Sequence, residues 1–295
     1  MSVRFTLPFP MFPANQLVPL AQVAEEAGFD AVAVPDSVFF PETVSEDYPY
    51  SEDGARFWSA ETPFVDPFVA VSAMTAVTTR LRFYTNVVKL PIRNPLLVAK
   101  QVASIAALSD DRFALGVGLA WIDEEFVWTG TTKRTRGART DEAIEIIRAV
   151  CAGGGPRWVE HHGQHYDFDR LMISPAPSEP VPIYVGGHSD AALQRAARSA
   201  DGWISVQSTA EELAVPLDRL WELREDFGRS HLPFVTSCLA LDVDDVDGYK
   251  RLVDLGVTDI QVVPWYFDGG DPEALETKRA SILRFADDVM PHVTG

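Results

Sequence analysis

Two strand ends that carry glycines hold the residues whose types and spacing suit chemistry. In VPIYVGGHSDAALQRAAR, residues 181–198, an apolar run meets Gly186 and Gly187, and Ser189 and Asp190 then open an amphipathic helix. Main-chain amides at a helix amino terminus have no intrahelical acceptor and sit at the positive end of the dipole, so this segment suits a phosphate. An ordinary N-cap by Ser189 or Asp190 is the competing reading at the same spacing. In RFALGVGLAWIDEEFVWTG, residues 112–130, Gly116 and Gly118 let either a flat ligand or another backbone come close. Trp121 and the acidic pair Glu124 and Glu125 follow. A carboxylate there works as an acid or base only if burial or a like charge shifts its pKa; otherwise both pair with basic residues as scaffold.

Two other clusters have a chemical and a bland reading. His161, His162 and His165 fall on an expected hairpin with no accompanying Cys or carboxylate pattern. Zinc needs three or four convergent ligands, so no metal is expected. The strip TTKRTRGART, residues 131–140, holds Lys133, Arg134, Arg136 and Arg139 without an acid among them. It either attracts an anionic ligand or pairs with Glu124, Glu125, Asp141 and Glu142.

Strand-length apolar runs alternate with helical stretches along the chain, the pattern of parallel strands covered by crossover helices. Strands are expected at 3–8, 29–34, 81–90, 112–118, 181–186, 202–206, 234–241 and 258–263. Helices are expected at 15–27, 66–78, 95–108, 139–151, 189–199, 210–228, 245–255 and 272–289. Eight strands in 295 residues suit a single (β/α)8 TIM barrel spanning residues 1–295. Two insertions break the rhythm. Residues 37–65, after strand 2, are long enough to form a lid over the mouth or a surface excursion. Residues 153–180, between strands 4 and 5, alternate Trp158, His162, Tyr166 and Phe168 about a turn at Gly163 and suggest a hairpin.

With 25 Lys and Arg against 43 Asp and Glu, the net charge is −18, which lacks the basic footprint of a nucleic-acid binder and disfavours an anionic membrane. Two isolated cysteines, Cys151 and Cys238, make no disulfide framework, and Pro8, Pro10 and Pro13 interrupt any early apolar run. A cytoplasmic protein without export leader or membrane span is expected.

GFDAVAVPDS at 28–37, the stretch 66–126, RGARTDEA at 136–143 and VGGHSDAALQRAARSADGW at 185–203 resemble the luciferase-like monooxygenase superfamily, and more narrowly its coenzyme F420-dependent oxidoreductases. The resemblance covers nearly the whole chain. It implies a TIM barrel, usually dimeric, with F420 or alternatively FMN at the carboxyl ends of the strands, a small organic substrate and an F420 or flavin reductase as electron donor.

Carried over residue by residue, the resemblance places Asp36 near the ring and Asn86-Val87 at a non-prolyl cis peptide that forms a bulge behind it. Lys89, Leu119 and Ala120 line the ring or its ribityl chain, beside Gly118. Gly186, Gly187, His188, Ser189 and Asp190 match the phosphate loop. Many F420-dependent members carry histidine after the aspartate, where this chain has Ser37, and the sugar-phosphate dehydrogenase branch carries glutamate where this chain has Trp121. The catalytic candidates are therefore Asp36, Ser37 and Glu124. Phe9, Phe57, Trp58, Trp121 and Trp265 are the candidate substrate wall, since each follows a strand or lies in the long insertion.

Overall fold

The computed structural model describes residues 3–294 except Tyr50 and Glu52. The chain alternates strand and helix from β1 (Arg4–Pro8) and α1 (Ala14–Ala27) through β2 (Ala31–Val34), α2 (Pro67–Thr75) and β3 (Arg82–Thr85). A short β4 (Val88–Lys89) leads to α3 (Pro95–Leu108), β5 (Phe113–Gly118), α4 (Asp123–Trp128) and α5 (Arg136–Val150). The hairpin β6 (Trp158–His162) and β7 (Asp167–Met172) follows. The second half comprises β8 (Ile183–Gly186), α6 (Asp190–Ser199), β9 (Gly202–Ile204), α7 (Ala210–Asp226), β10 (Val235–Cys238), α8 (Val246–Asp254), β11 (Asp259–Gln261), α9 (Leu275–Asp288) and α10 (Met290–Thr294).

Strands β3, β2, β1, β11, β10, β9, β8 and β5 neighbour one another in that order, and β3 pairs back onto β5 to close the ring. Every pairing in this ring is parallel. The architecture is the expected (β/α)8 barrel. All six residues of β5, FALGVG, are buried, because a parallel strand is covered by helices on one side and by the barrel interior on the other.

Local chemistry sets where the helices start and stop. Asp66 and Asn94 each precede a proline and cap their helices, Asp66 accepting from the amides of Phe68 and Val69 and Asn94 from that of Leu96. Proline at the first helical position loses nothing there, since that amide has no intrahelical partner. Gly28 ends α1 at φ 85°, a left-handed conformation that only glycine adopts cheaply. Thr209 and Glu212 form a reciprocal capping box at the start of α7.

The expected strand 81–90 is two strands. They are divided by the cis peptide Asn86-Val87, and Leu90–Ile92 forms a single 3-10 turn. The last strands are shorter than the apolar runs that encode them, and α5 starts three residues before its expected beginning. Helix α4 was not anticipated: six residues with three acids in the first turn carry too little apolar periodicity to read as a helix. The hairpin stands where its alternation placed it. Glu142 of α5 accepts from the amides of Gln164, His165 and Tyr166 and so holds its turn.

Candidate functional site

The carboxyl ends of β2, β4, β5 and β8 bring together most of the candidates. The Asp36 carboxylate, 1% exposed, accepts the Lys89 amide through Oδ2 at 3.0 Å and the Arg93 guanidinium through Oδ1 at 2.7 Å. Arg93 also reaches the Asp66 carboxylate at 3.6 Å. The Lys89 ammonium is paired with the Glu125 carboxylate, which is itself 1% exposed. Burial raises the Glu125 pKa, Asp36 adds to the rise, and Lys89 and Arg93 oppose it. Two acids and two bases thus share one buried cluster, in which each charge is met by an opposite one.

Glu125, rather than Glu124, is the acid that enters the site. The two neighbours point to different sides of α4: Glu124 accepts from the Ser45 hydroxyl at 3.1 Å on the outer insertion. Ser37 lies next to the cluster in sequence and is half-buried. Arg93 was missed by sequence reasoning, although its place two residues before a Pro-initiated helix marked it as a loop residue at the mouth.

The glycines prove to serve close packing. A Cβ on Gly116 would lie 1.9 Å from the Thr85 carbonyl oxygen, one on Gly118 would lie 2.6 Å from Val87 Cγ2, and one on Gly186 would lie 3.1 Å from Val87 Cγ1. Val87, presented by the cis peptide, therefore occupies space that β5 and β8 leave by having no side chains there. Asn86 is anchored from within the barrel, donating through Nδ2 to Gln261 Oε1 at 3.0 Å, and Gln261 in turn donates to the Ser237 hydroxyl. Just past Gly118, Leu119 and Ala120 are half-buried, and Ala120 has φ 59°, uncommon for a residue with a Cβ.

At β8, Gly187 has φ 112°, and its carbonyl accepts from Trp203 Nε1 at 2.8 Å. Ser189 caps α6 by accepting from the Ala192 amide. The N-cap reading of Ser189 therefore stands, and the remaining first-turn amides have no intrahelical acceptor. His188 accepts from the Val206 amide through Nε2 at 2.9 Å and packs against Trp203, and burial lowers its pKa. With Nε2 so engaged, the side chain braces the loop against Val206. Asp190 is held by Gln194 and Arg219.

The aromatic candidates divide. Phe57, Trp58 and Trp121 gather with Tyr48 and Phe64, with Tyr48 5.4 Å from Trp121 and 5.1 Å from Trp58, ring centre to ring centre. This cluster joins the 37–65 insertion to the end of β5. Phe9 and Trp265, both 1% exposed, belong to the core, where each packs on Phe12. Position after a strand did not reveal this, since Trp265 meets Phe12 from the far end of the chain.

The basic strip does not make the expected pairs. Lys133 binds Glu46 and, at 3.6 Å, Asp123, tying the insertion to α4. Asp141 is taken by Arg195 and Arg198, and Arg139 lies over the Tyr166 ring. Arg134 is exposed. His161 pairs with Glu142 and His162 with Asp167, and among the described residues no three His, Cys, Asp or Glu side chains converge as metal ligands. Among them also, no helix is long and apolar enough to cross a membrane.

Comparison with known proteins gives a consistent setting. An uncharacterized protein of Mycobacterium tuberculosis is 44% identical over 294 residues, covering 99% of this chain and all of that protein. The F420-dependent glucose-6-phosphate dehydrogenase of Nakamurella multipartita is 30% identical over 214 residues, 68% of this chain and 55% of that protein. An F420-dependent secondary alcohol dehydrogenase, solved with an F420-acetone adduct, superposes with a TM-score of 0.78 at 16% identity over the whole of both chains. The family model described as luciferase-like monooxygenase matches residues 6–245. With that match over most of its length, the chain belongs to the luciferase-like monooxygenase family.

Proposed function

We propose that the protein is an F420-dependent oxidoreductase that moves a hydride between deazaflavin and a small organic substrate. The observation that carries the reading is the mouth itself, where a valine on a cis peptide, a glycine-lined strand end and a helix amino terminus behind Gly186-Gly187 stand together. The F420-dependent dehydrogenase among its relatives supports the choice of deazaflavin over FMN.

The residues fit such a group. Val87 would form the shelf behind the ring, with Gly118, Leu119 and Ala120 along its edge. The loop from Gly186 to Asp190 would hold the phosphate through main-chain amides, where a dipole end favours negative charge. Once bound, the coenzyme supplies or accepts the hydride, and the protein contributes orientation and exclusion of water. Trp58, Trp121 and Phe57 would cover the substrate, and the insertion bearing two of them is tied down through Lys133 and Ser45. Arg134, which is exposed, would meet an anionic coenzyme tail.

Two further assignments accompany this reading. A reductase would recycle the coenzyme. A second copy of the chain would cover α2 and α3, whose outer faces expose Val69 and Leu97 at 63% and 67%. A surface helix apolar on nearly all sides needs a covering partner.

Spectral titration with F420 and FMN, each oxidised and reduced, tests the cofactor. Submicromolar F420 binding with FMN ignored is expected. Preferential FMN binding would move the protein to the oxygen-using members of the family, and F420 binding without turnover across alcohols, ketones and activated alkenes would make it a binding protein.

A further inference from the structure

Lys89 is held at both ends by carboxylates from different strand ends. Its main-chain amide donates to Asp36 Oδ2 at 3.0 Å, and its ammonium is paired with Glu125 Oε1. Lys89 lies two residues after Val87 and registers across β4 and β5 with Gly118, the glycine whose missing Cβ makes room for Val87. It therefore stands beside the shelf that Val87 forms.

Such a grip exceeds what scaffolding requires. Arg93 already ties the strand ends to Asp36 and Asp66. Glu125 contributes a wholly buried carboxylate whose second oxygen, Oε2, has no hydrogen-bond partner among the described residues. A buried acceptor left unsatisfied is costly and rare, and an apolar residue would pack α4 against the sheet without it. Lys89 in turn has three donors, of which Glu125 uses one, and its side chain remains 15% exposed.

We infer that Glu125 is a positioning residue which, through Lys89, fixes a cation at the edge of the coenzyme ring to meet the negative charge gained on reduction. The inference rests on the functional reading above and adds the element that sets the electronics of the bound ring. Fixed charge beside such a ring is one of the means by which a protein tunes its potential. Asp36 and Arg93 are paired with each other, and Lys89 keeps two donors beyond its bond to Glu125 with which to reach the ligand.

The test compares dissociation constants of the intact protein for oxidised and anaerobically reduced F420, and likewise for FMN, in wild type, Lys89→Met, Glu125→Gln and Lys89→Arg. Lys89→Met and Glu125→Gln are expected to weaken the reduced form about tenfold more than the oxidised form. For a two-electron couple that is a potential lowered by about 30 mV. Lys89→Arg should restore the ratio to within about threefold of wild type. Glu125→Gln preserves shape, so it gives the answer should Lys89→Met fail to fold. Equal weakening of both redox forms, accompanied by a lower Tm, would make the pair a structural tie and overturn the inference while leaving the functional reading standing. A wild-type protein that binds neither coenzyme would remove both.

Discussion

The Asp36 carboxylate and the Arg93 guanidinium meet at 2.7 Å inside the barrel mouth, the acid 1% and the base 19% exposed. Asp36 lies two residues past β2, and Arg93 closes the 3-10 turn after β4, so the pair joins two strand ends separated by a helix and a strand. Removing one partner of a buried pair leaves an uncompensated charge, which costs more than the pair contributes when intact. Arg93→Met is expected to destabilise the protein by about 3 kcal/mol. The double variant with Asp36→Asn should lose less than the sum of the single losses. Denaturant unfolding of the four proteins measures this coupling, and additive losses would show that the two side chains act independently.

Gly187 stands at φ 112°, a conformation strained for any residue with a Cβ, and an added Cβ would come 3.3 Å from that of Ala192. Gly187→Asp adds a carboxylate to the same strained backbone. Isothermal titration should show coenzyme affinity falling at least about a hundredfold beyond any loss in Gly187→Ala, because like charge is placed against the phosphate. Equal affinities of the two variants would place the anion elsewhere.

Gly116 is the tightest glycine in the molecule's described part, its missing Cβ lying 1.9 Å from the Thr85 carbonyl oxygen. Gly116→Ala must separate β3 from β5 where the barrel closes. A loss of about 3 kcal/mol is expected, at the upper end for overpacking in a rigid core. Gly118→Ala brings a Cβ within 2.6 Å of the Val87 side chain rather than of backbone, so it should lose less stability than Gly116→Ala and weaken coenzyme binding by displacing Val87. Thermal melts and titrations on the two variants separate these effects.

Glu25, at the end of α1, receives the amides of Thr79, Arg80 and Leu81 and the Thr79 hydroxyl. Burial pushes its pKa up, but these donors together outweigh it and hold the carboxyl at about 2, against an ordinary 4.5. A folded-state pKa below the unfolded one gives stability that is full above the unfolded value and disappears as pH falls through the folded value. Glu25→Gln should therefore be less stable than wild type by about 1–2 kcal/mol at pH 7, discounted for partial exposure. The gap should close between pH 4.5 and about 2. A constant gap across that range would show that shape, rather than charge, matters at this cap.

Val69 and Leu97 give the assembly prediction its handle. Val69→Asp with Leu97→Glu should convert dimers to monomers in sedimentation velocity, since two charges would be buried in each copy's share of an apolar interface. Wild type sedimenting as a monomer would remove the assignment.

Repetition and local chemistry made much of the fold legible from sequence. Strand and helix alternate with distinct periods, and Asp66, Asn94, Gly28 and Thr209 mark helix ends through hydrogen bonds within a few residues. The glycines at 116, 118, 186 and 187 were visible for the same reason, since only glycine satisfies a close approach or a left-handed turn. Their partner was not visible: Gly118 and Gly186 make way for Val87, two strands' worth of chain apart.

Tertiary structure alone decided which acid faces the mouth. Glu124 and Glu125 are chemically alike, and the phase of a six-residue helix, set by packing, sends one to Ser45 and the other to Lys89. It also buried Phe9 and Trp265 around Phe12 and gave Lys133 to the insertion. Periodicity and capping operate over a few residues and are written in local sequence. The orientation of a side chain across a closed barrel depends on contacts tens of residues away, which no local pattern encodes.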